Sequence, residues 1–320
     1  MNVISAEDQI RIVAIGDIHG DLDALLRILI GVRVIDADGE WCGESAHLIL
    51  MGDLNDRGPD SADVMVFVMR LEQEAASRGG RVDTLLGNHE LLAVEGDYRY
   101  SRAVEVVALE SFWYGRLNGL HAIYRGQSPY ARWLRCRPTV VKVASTVFVH
   151  AGLGAWALDH DADFINTTVS AWVAHFQGVA EEPDPSTVWL IERAGEGPLW
   201  TNRFRVSAEY SKSEVGFRGV VADVLDAWGA TRLIVGHRPT RTIDYRIALP
   251  HPLFGDSVVS IDTGISQYFG GRLSALEIVD GTLAPRYFER TGDPLELTRR
   301  LRREYALERQ NLTNNSAGSV

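Results

Sequence analysis

The chain has 320 residues, a formal net charge of -11, 46% hydrophobic and 23% charged residues. These are values of a globular protein large enough to bury a substantial core. No apolar run approaches the roughly 20 residues of a membrane span, and the opening MNVISAEDQI lacks the basic and apolar regions of a secretory signal, so a cytoplasmic location with no membrane partner is expected. The acidic balance disfavours nucleic acid, which is bound by clustered Lys and Arg, but not a single phosphate group held with the help of bound cations.

Arg11 to Ile15 is a short β-branched run, the pattern of a buried strand, and it stops in Asp17, His19 and Asp21 between Gly16 and Gly20. Residues two apart in an extended segment point the same way, so Asp17 and His19 can grip one ion. A helix over Asp21 to Ile30 follows, with Leu22, Leu25, Leu26 and Leu29 on one face, and Asp21 is expected to serve mainly as its cap. Asp36 to Glu44 is a polar, Gly-rich loop without the closing glutamate of a calcium loop.

A second strand, His47 to Met51, runs into Gly52-Asp53-Leu54-Asn55-Asp56-Arg57-Gly58. A helix from Asp60 to about Ala76 turns Val64, Phe67, Val68 and Leu71 inward and ends at Arg78-Gly79-Gly80. The third strand, Asp83 to Leu86, delivers Gly87-Asn88-His89-Glu90. Leu91 to Arg137 then changes character, with Phe112, Trp113, Tyr114, Tyr124, Tyr130 and Trp133 in a segment of mixed polarity. It reads as helices capping the sheet ends and walling a cleft, most of its aromatics serving the core; Arg99, Arg102 and Arg116 are candidates to face that cleft.

The fourth strand, Thr146 to Val149, runs into His150-Ala151-Gly152. A helix over Asp163 to Gln177, an exposed loop at Glu181 to Ser186 and a turn-rich stretch, Gly195 to Arg205, come next. A helix from about Gly219 to Trp228 leads to the fifth strand, Arg232 to Val235, and Gly236-His237. Ser257 to Asp262 and Arg272 to Val279 read as a closing antiparallel pair, and Asp293 to Gln310 as a charged helix whose arginines form a solvated face. With no repeat and no dividing linker, residues 1–292 are expected to form a single domain with a helical cap at about 91–137. Residues 293–320 supply the charged helix and a frayed tail. Cys42 and Cys136 lack metal-ligand spacing and read as reduced, buried or half-buried thiols.

Five apolar strands, each ending in Asp, Asn or His beside Gly, are hard to explain as surface turns; open α/β sheets gather their ligands at such strand ends. A metal site is expected there. The runs GDIHG, GDLNDRG, GNHE, HAG and GH, in this order, resemble the calcineurin-like metallophosphoesterases. GDLNDRG with GNHE resembles the phosphoprotein-phosphatase branch. GPLWTNR (Gly197 to Arg203), VGH and IDTGISQYFGG (Ile261 to Gly271) are similar to the bacterial-type Shewanella-like protein phosphatases. The resemblance spans about Ile12 to Gly281 and implies an α/β fold, a β-sandwich flanked by helices with a dinuclear metal site at the strand ends.

Carried across residue by residue, the resemblance implies that Asp17 and His19 hold one metal, that Asp53 bridges both, and that Asn88, His150 and His237 complete the second. It makes His89 the general acid, oriented by Asp56, and Arg57 a clamp on phosphate oxygens, with Asn88 also facing the phosphate. Hard oxygen donors with imidazoles suit two divalent ions, manganese first, with iron or zinc as alternatives. The implied reaction is attack of metal-bound hydroxide on a phosphomonoester without a phosphoenzyme; no Cys-x5-Arg loop exists to supply a cysteine nucleophile.

Some positions depart from the family pattern. Asn55 stands where Val is usual, Ala151 replaces a first Gly, and Arg238 follows His237 where Thr is common. WTNR is one residue longer than the usual Trp-x-Arg, so the second phosphate-binding arginine is open among Arg203, Arg238 and Arg218, with Arg203 favoured. His47, His121, His160, His175 and His251 match no motif and are taken as ordinary.

The expected substrate is a phosphoprotein, phosphotyrosine ahead of phosphoserine. Aromatics in Phe112 to Trp133 and Trp200, Tyr268 and Phe269 offer stacking worth ~0.5–1.5 kcal/mol each beyond buried area. The alternative is a dinucleoside tetraphosphatase or small-phosphoester hydrolase on the same metals, weighed down by the few clustered cations of an acidic chain. A binding protein with a decayed site is disfavoured by the intact Asp56, Arg57 and His89.

Overall fold

The computed structural model describes residues 11–101, 123–193 and 195–317. In chain order these contain β1 (Ile12–Ile15), α1 (Leu22–Gly31), β2 (His47–Leu50), α2 (Ser61–Ser77), β3 (Arg81–Thr84) and α3 (Asn88–Glu95). They continue with α4 (Pro129–Arg135), β4 (Val140–Val143), β5 (Thr146–Val149), α5 (Ala162–Phe176), α6 (Lys212–Ala227) and β6 (Arg232–Val235). The chain closes with β7 (Val258–Ser260), β8 (Leu273–Val279), β9 (Thr282–Phe288) and α7 (Glu296–Ala317).

The strands form a 5-stranded sheet in the order β3-β2-β1-β8-β9 and a 4-stranded sheet in the order β4-β5-β6-β7. Every residue of β1, β2 and β5 is buried, which is why these strands read as continuous apolar runs rather than alternating ones. The two-residue period still decides what each side chain meets. Ile12, Ala14, Ile49, Phe148, Ile234, Val259 and Leu276 fill the layer between the sheets. Val13, Ile15, Leu48, Leu50, Val147 and Val149 turn outward into the larger core shared with the helices. The result is the expected β-sandwich flanked by helices.

β1, β2 and β3 run parallel, with Ile12 opposite His47 and His47 opposite Arg81. β5, β6 and β7 are parallel likewise. Equal direction brings the loops after β1, β2, β3, β5 and β6 to one edge of the sandwich. α1 starts there, its first turn capped by the Asp21 carboxylate on the Ala24 N–H at 3.0 Å. Asp21 also pairs with Arg290 at 3.0 Å, a structural role as expected.

Several elements depart from the sequence reading. The closing strands do not pair with each other: β7 joins β6 in the smaller sheet, while β8 lies antiparallel between β1 and β9 in the larger one. β4 and β9 were not anticipated, and β3 starts and ends two residues early. α6 begins at Lys212, not near Gly219, because Ser211 and Glu214 form a reciprocal capping box. Its Gly216 and Gly219 face open space, where each costs only about 1 kcal/mol of helix propensity.

The C-terminal helix is not simply a solvated face. Leu297, Leu301 and Tyr305 are buried, Arg302 pairs with Asp60 at 2.6 Å, and helical backbone continues to Ala317, into the stretch expected to fray. Cys42 and Cys136 are exposed free thiols rather than buried ones. In the expected cap segment, Tyr124, Tyr130 and Trp133 are core residues. Arg102, Phe112, Trp113, Tyr114, Arg116 and His121 lie outside the described residues.

Candidate active site

At the shared edge, Asp53 occupies the centre of a buried cluster. Its Oδ2 lies 3.6 Å from His19 Nε2 and 4.0 Å from His89 Nε2, while Oδ1 lies 3.5 Å from His150 Nε2. One carboxylate thus presents an oxygen to each of two nitrogen groups. Two sets of donor atoms, His19–Asp53–His89 and Asp53–His150–His237, each fall within 4.8 Å of one another. Asn88 Oδ1 sits 2.9 Å from both His150 Nε2 and His237 Nδ1, closing the second set. Asp17 accepts the His237 backbone N–H at 3.0 Å through Oδ2.

The backbone is contorted to achieve this. His19, Asp53, Asp56, Arg57 and His237 all adopt positive φ, between 48 and 70 degrees, a region that costs non-glycine residues energy and concentrates at functional sites. Two glycines are required for close approach. A Cβ on Gly87 would lie 2.3 Å from Asp53 Oδ1, and one on Gly236 would lie 2.4 Å from Asp17 Oδ1. Each would occupy space the carboxylate needs.

Protonation is set by burial and by the packing of acids on acids. Burial, then the charges of Asp262 and Asp53, push Asp17 well above the ordinary carboxylate range. Burial also drives Asp262 up to about 7, and its Oδ2 has no hydrogen-bond partner. Burial opposes the Asp53 charge too, but His150, His89 and His19 outweigh it and its pKa is lowered. Burial depresses His19 to about 3 and lowers His150 and His237, so these imidazoles are neutral at physiological pH. His19 Nδ1 donates to Asn55 O at 3.2 Å and His150 Nδ1 to Met51 O at 2.8 Å. The Nε2 lone pairs are thereby left facing the cluster, the arrangement that metal-ligating histidines use.

Buried acids pressed together beside neutral imidazoles, one acid with an unpartnered oxygen, fit divalent cations. No thiolate belongs to the set.

Beside this floor, His89 Nδ1 donates to Asp56 Oδ2 at 2.7 Å, and Ser101 Oγ donates to Asp56 Oδ1 at 2.6 Å. Burial works against a charged His89, but Asp53 and the bonded Asp56 outweigh it and the pKa is raised. Its Nε2 lies 4.0 Å from Asp53 Oδ2, and the residue lines the cavity above. Glu90 takes the N–H groups of Asp53 (2.8 Å), Leu54 (2.8 Å), Asn55 (3.3 Å) and Gly87 (2.9 Å), locking two loops onto α3.

The cavity above has a volume of about 490 Å³. His19, Asp53, Asn88, His89 and His237 line its floor; Arg57, Arg205, Arg238 and Arg241, with Tyr100, Trp200 and Phe269, line its walls. Arg57 is stacked over Tyr100 at 4.0 Å and lies 5.0 Å from the Tyr268 ring, held by aromatic faces rather than by a carboxylate. Arg203, the favoured second phosphate arginine, is not in the wall. It pairs with Glu196 at 2.8 Å and lies over Phe217 at 5.0 Å, outside the cavity. Arg218 lines a separate depression with Phe254 and Ser257.

The sequence reading also left residues without roles. Asp262 and Glu90 lay inside quoted motifs, but nothing local marks an acid as buried and aimed at a cluster. Arg205 and Arg241 had no motif to flag them. Arg99 pairs with Asp97 at 2.8 Å rather than lining the cavity.

Residues 10–241 match the calcineurin-like phosphoesterase family. The chain is 28% identical over 295 residues to Shewanella-like protein phosphatase 2 of Arabidopsis thaliana, covering 80% of this chain and 72% of that one. It superposes with a TM-score of 0.72 and 26% identity on the cold-active protein-tyrosine phosphatase of a psychrophilic Shewanella species, covering 91% and 85% of the two chains. A symmetrical bis(5'-nucleosyl)-tetraphosphatase of Tolumonas auensis is 33% identical over 141 residues, 43% of each chain. With a family match over most of its length and a buried Asp, Asn and His cluster at the strand ends, the chain belongs to the calcineurin-like phosphoesterases, hydrolases of phosphate esters.

Proposed function

We propose that this protein is a metal-dependent protein phosphatase acting on phosphomonoesters, with phosphotyrosine preferred over phosphoserine. The observation that carries the reading is Asp53, with one oxygen toward His19 and His89 and the other 3.5 Å from His150. Asp17, His19, Asp53, Asn88, His150 and His237 would hold two divalent ions, manganese first, with iron or zinc as alternatives. When bound, such a pair neutralises phosphate charge and makes water acidic enough to ionise near neutral pH.

The chain's own residues supply the rest. Arg57, preset by two aromatic faces, grips phosphate oxygens through its planar fork, and Arg238 replaces Arg203 as the second clamp. Asn88 also faces the phosphate from the floor. His89, charged and oriented by Asp56, carries a proton on Nε2 toward the leaving oxygen. Tyr100, Trp200 and Phe269 give an aromatic leaving group surfaces to stack on. This supports phosphotyrosine, as does the likeness to the Shewanella protein-tyrosine phosphatase. The enzyme is read as cytoplasmic, its catalytic domain as residues 1–292; among the described residues no helix is long and apolar enough to cross a membrane.

A second reading has one observation in its favour. The acidic composition argued against a polyphosphate substrate, yet four arginines line the cavity, so local charge no longer opposes a dinucleoside polyphosphate. The tetraphosphatase relative spans 43% of this chain against 80% for the protein phosphatase relative, and the phosphatase reading is preferred on that ground. The test is turnover by protein reconstituted with manganese, on matched phosphotyrosine and phosphoserine peptides and on diadenosine tetraphosphate. Higher kcat/KM on the phosphotyrosine peptide is expected. A dinucleotide value well above both peptides would replace this reading with the second.

A further inference from the structure

The cleft carries more positive charge than one phosphate needs. Arg57, Arg205, Arg238 and Arg241 line it in a chain of net charge -11, and Asp53, on the floor, is the carboxylate among its lining residues. The wall gathers positive side chains at one place on an acidic chain, above the buried acids of the site.

The four guanidiniums fall into two groups. Arg57 stands on the His89 side, clasped between Tyr100 and Tyr268, and Arg238 directly follows the floor residue His237. Arg205 and Arg241 belong to a second patch. Thr242 Oγ1 donates to Val206 O at 3.2 Å, which sets the Arg205–Val206 and Arg241–Thr242 segments side by side. Arg205 is steadied by Glu214 at 2.8 Å, so half of that pair's charge is already answered. Arg241 is exposed, lies 5.8 Å from the Phe269 ring, and forms no ion pair among the described residues. Phe269 lies 5.1 Å from His19, so Arg241 stands one aromatic ring away from the floor.

We propose that Arg241, with Arg205 beside it, binds a second anionic group on the substrate, adjacent in the peptide to the phosphate held by Arg57 and Arg238. This rests on the phosphopeptide reading above. The recognised chemistry is an oxyanion, which an acidic side chain or a second phosphorylated residue can supply. An unpaired, solvent-facing guanidinium in a water-filled cleft discriminates charge first and shape second, so the preference weakens as salt screens it.

The experiment uses the full chain reconstituted with manganese and four phosphotyrosine peptides that differ only in the flanking residues: alanine, glutamate, phosphoserine or lysine. Wild type should favour the glutamate or phosphoserine peptide over the alanine peptide by roughly fivefold to twentyfold in kcat/KM at low salt, mainly through KM. The lysine peptide should be the poorest. Glutamate above alanine identifies an acidic side chain as sufficient; phosphoserine alone above alanine identifies the second phosphate. In Arg241→Ala the anionic-to-alanine ratio should fall toward one, with Arg241→Lys intermediate. Turnover of p-nitrophenyl phosphate by each variant shows that it is folded and loaded. Equal rates on all four peptides, or an anionic preference that survives in Arg241→Ala, would overturn the inference while leaving the phosphatase reading standing. Hydrolysis of diadenosine tetraphosphate with no turnover of any peptide would overturn both.

Discussion

The floor of the cleft and its rim are held by different physics. On the floor and just beneath it, Asp17, His19, Asp53, Asn88 and His150 are at most 4% exposed and sit where strands leave the sheets. Sheet register, positive-φ turns and glycines that a Cβ would overfill fix them together. On the rim, Arg57 leans on tyrosines and Arg205 on one carboxylate, while Arg238 and Arg241 make no direct ion pair among the described residues and feel the buried Asp262 carboxyl only from a distance. Changing a floor residue therefore disturbs several neighbours at once. A rim residue can change without moving the sheets, and substrate preference is expected to reside there.

The sharpest test of the contrast is Asp53→Asn. It removes the one carboxylate shared by both donor sets, so turnover should be abolished and bound metal reduced together, by elemental analysis of the purified protein. Two full equivalents of metal with wild-type activity would break the distinction between floor and rim. His89→Ala comes next. Under the proposed proton role it should keep its metal yet lose roughly 10²–10⁴ in rate on alkyl phosphates. Aryl phosphates with good leaving groups should lose less, since they need less protonation; an equal loss on both would point to positioning instead.

Behind the segment that carries Arg205, His251 answers to pH. Its Nδ1 accepts the Leu253 N–H at 3.0 Å and the Phe254 N–H at 3.3 Å, and its Nε2 donates to Phe204 O at 3.1 Å, beside Arg205. A proton on Nδ1 would face two donors. Burial lowers its pKa to about 4, against an ordinary value near 6.5 in the unfolded chain. Between those values the unfolded state binds more protons, so stability is full above about 6.5, falls as pH drops from there toward 4, and levels off below. From pH 7.5 to 5 this group should cost about 2 kcal/mol. The check is urea unfolding of wild type and His251→Asn at both pH values; parallel losses in the two proteins would refute the assignment.

The same contrast explains how far the sequence could be read. The floor was legible because each of its residues follows an apolar strand within a few positions, and strand ends in parallel sheets converge. Asp262 was not, although it stands in a quoted run, because its burial arises only when the segment after β7 crosses between the sheets. β7 and β8 were paired with each other because both are apolar and near in sequence. Their true neighbours, β6 on one side and β1 and β9 on the other, are set by the two-layer packing. The charge argument failed for a related reason. A net charge is a property of the whole surface, whereas the wall gathers arginines from three separate loops.

The smallest expected effect concerns the arginine that local reasoning chose. In Trp200-Thr201-Asn202-Arg203-Phe204-Arg205, Phe204 is 3% exposed, its ring 5.8 Å from Phe217 and 5.2 Å from Phe254. Anchoring that ring splays its two neighbours apart, Arg203 toward Glu196 and Arg205 toward the cavity. Arg203 is half-buried, and its ion pair with the exposed Glu196 is of the kind that contributes little, about 0–1 kcal/mol. Arg203→Ala should therefore leave kcat/KM on p-nitrophenyl phosphate within about twofold of wild type, as surface pairs of this kind allow. Arg57→Ala should lower it by roughly 10- to 100-fold, the scale of a hydrogen bond to a charged group. Both variants should retain their metal, because neither side chain belongs to the floor. A loss in Arg203→Ala as large as that in Arg57→Ala would mean that the Gly195–Phe204 turn rearranges around bound phosphate and brings Arg203 into the wall after all.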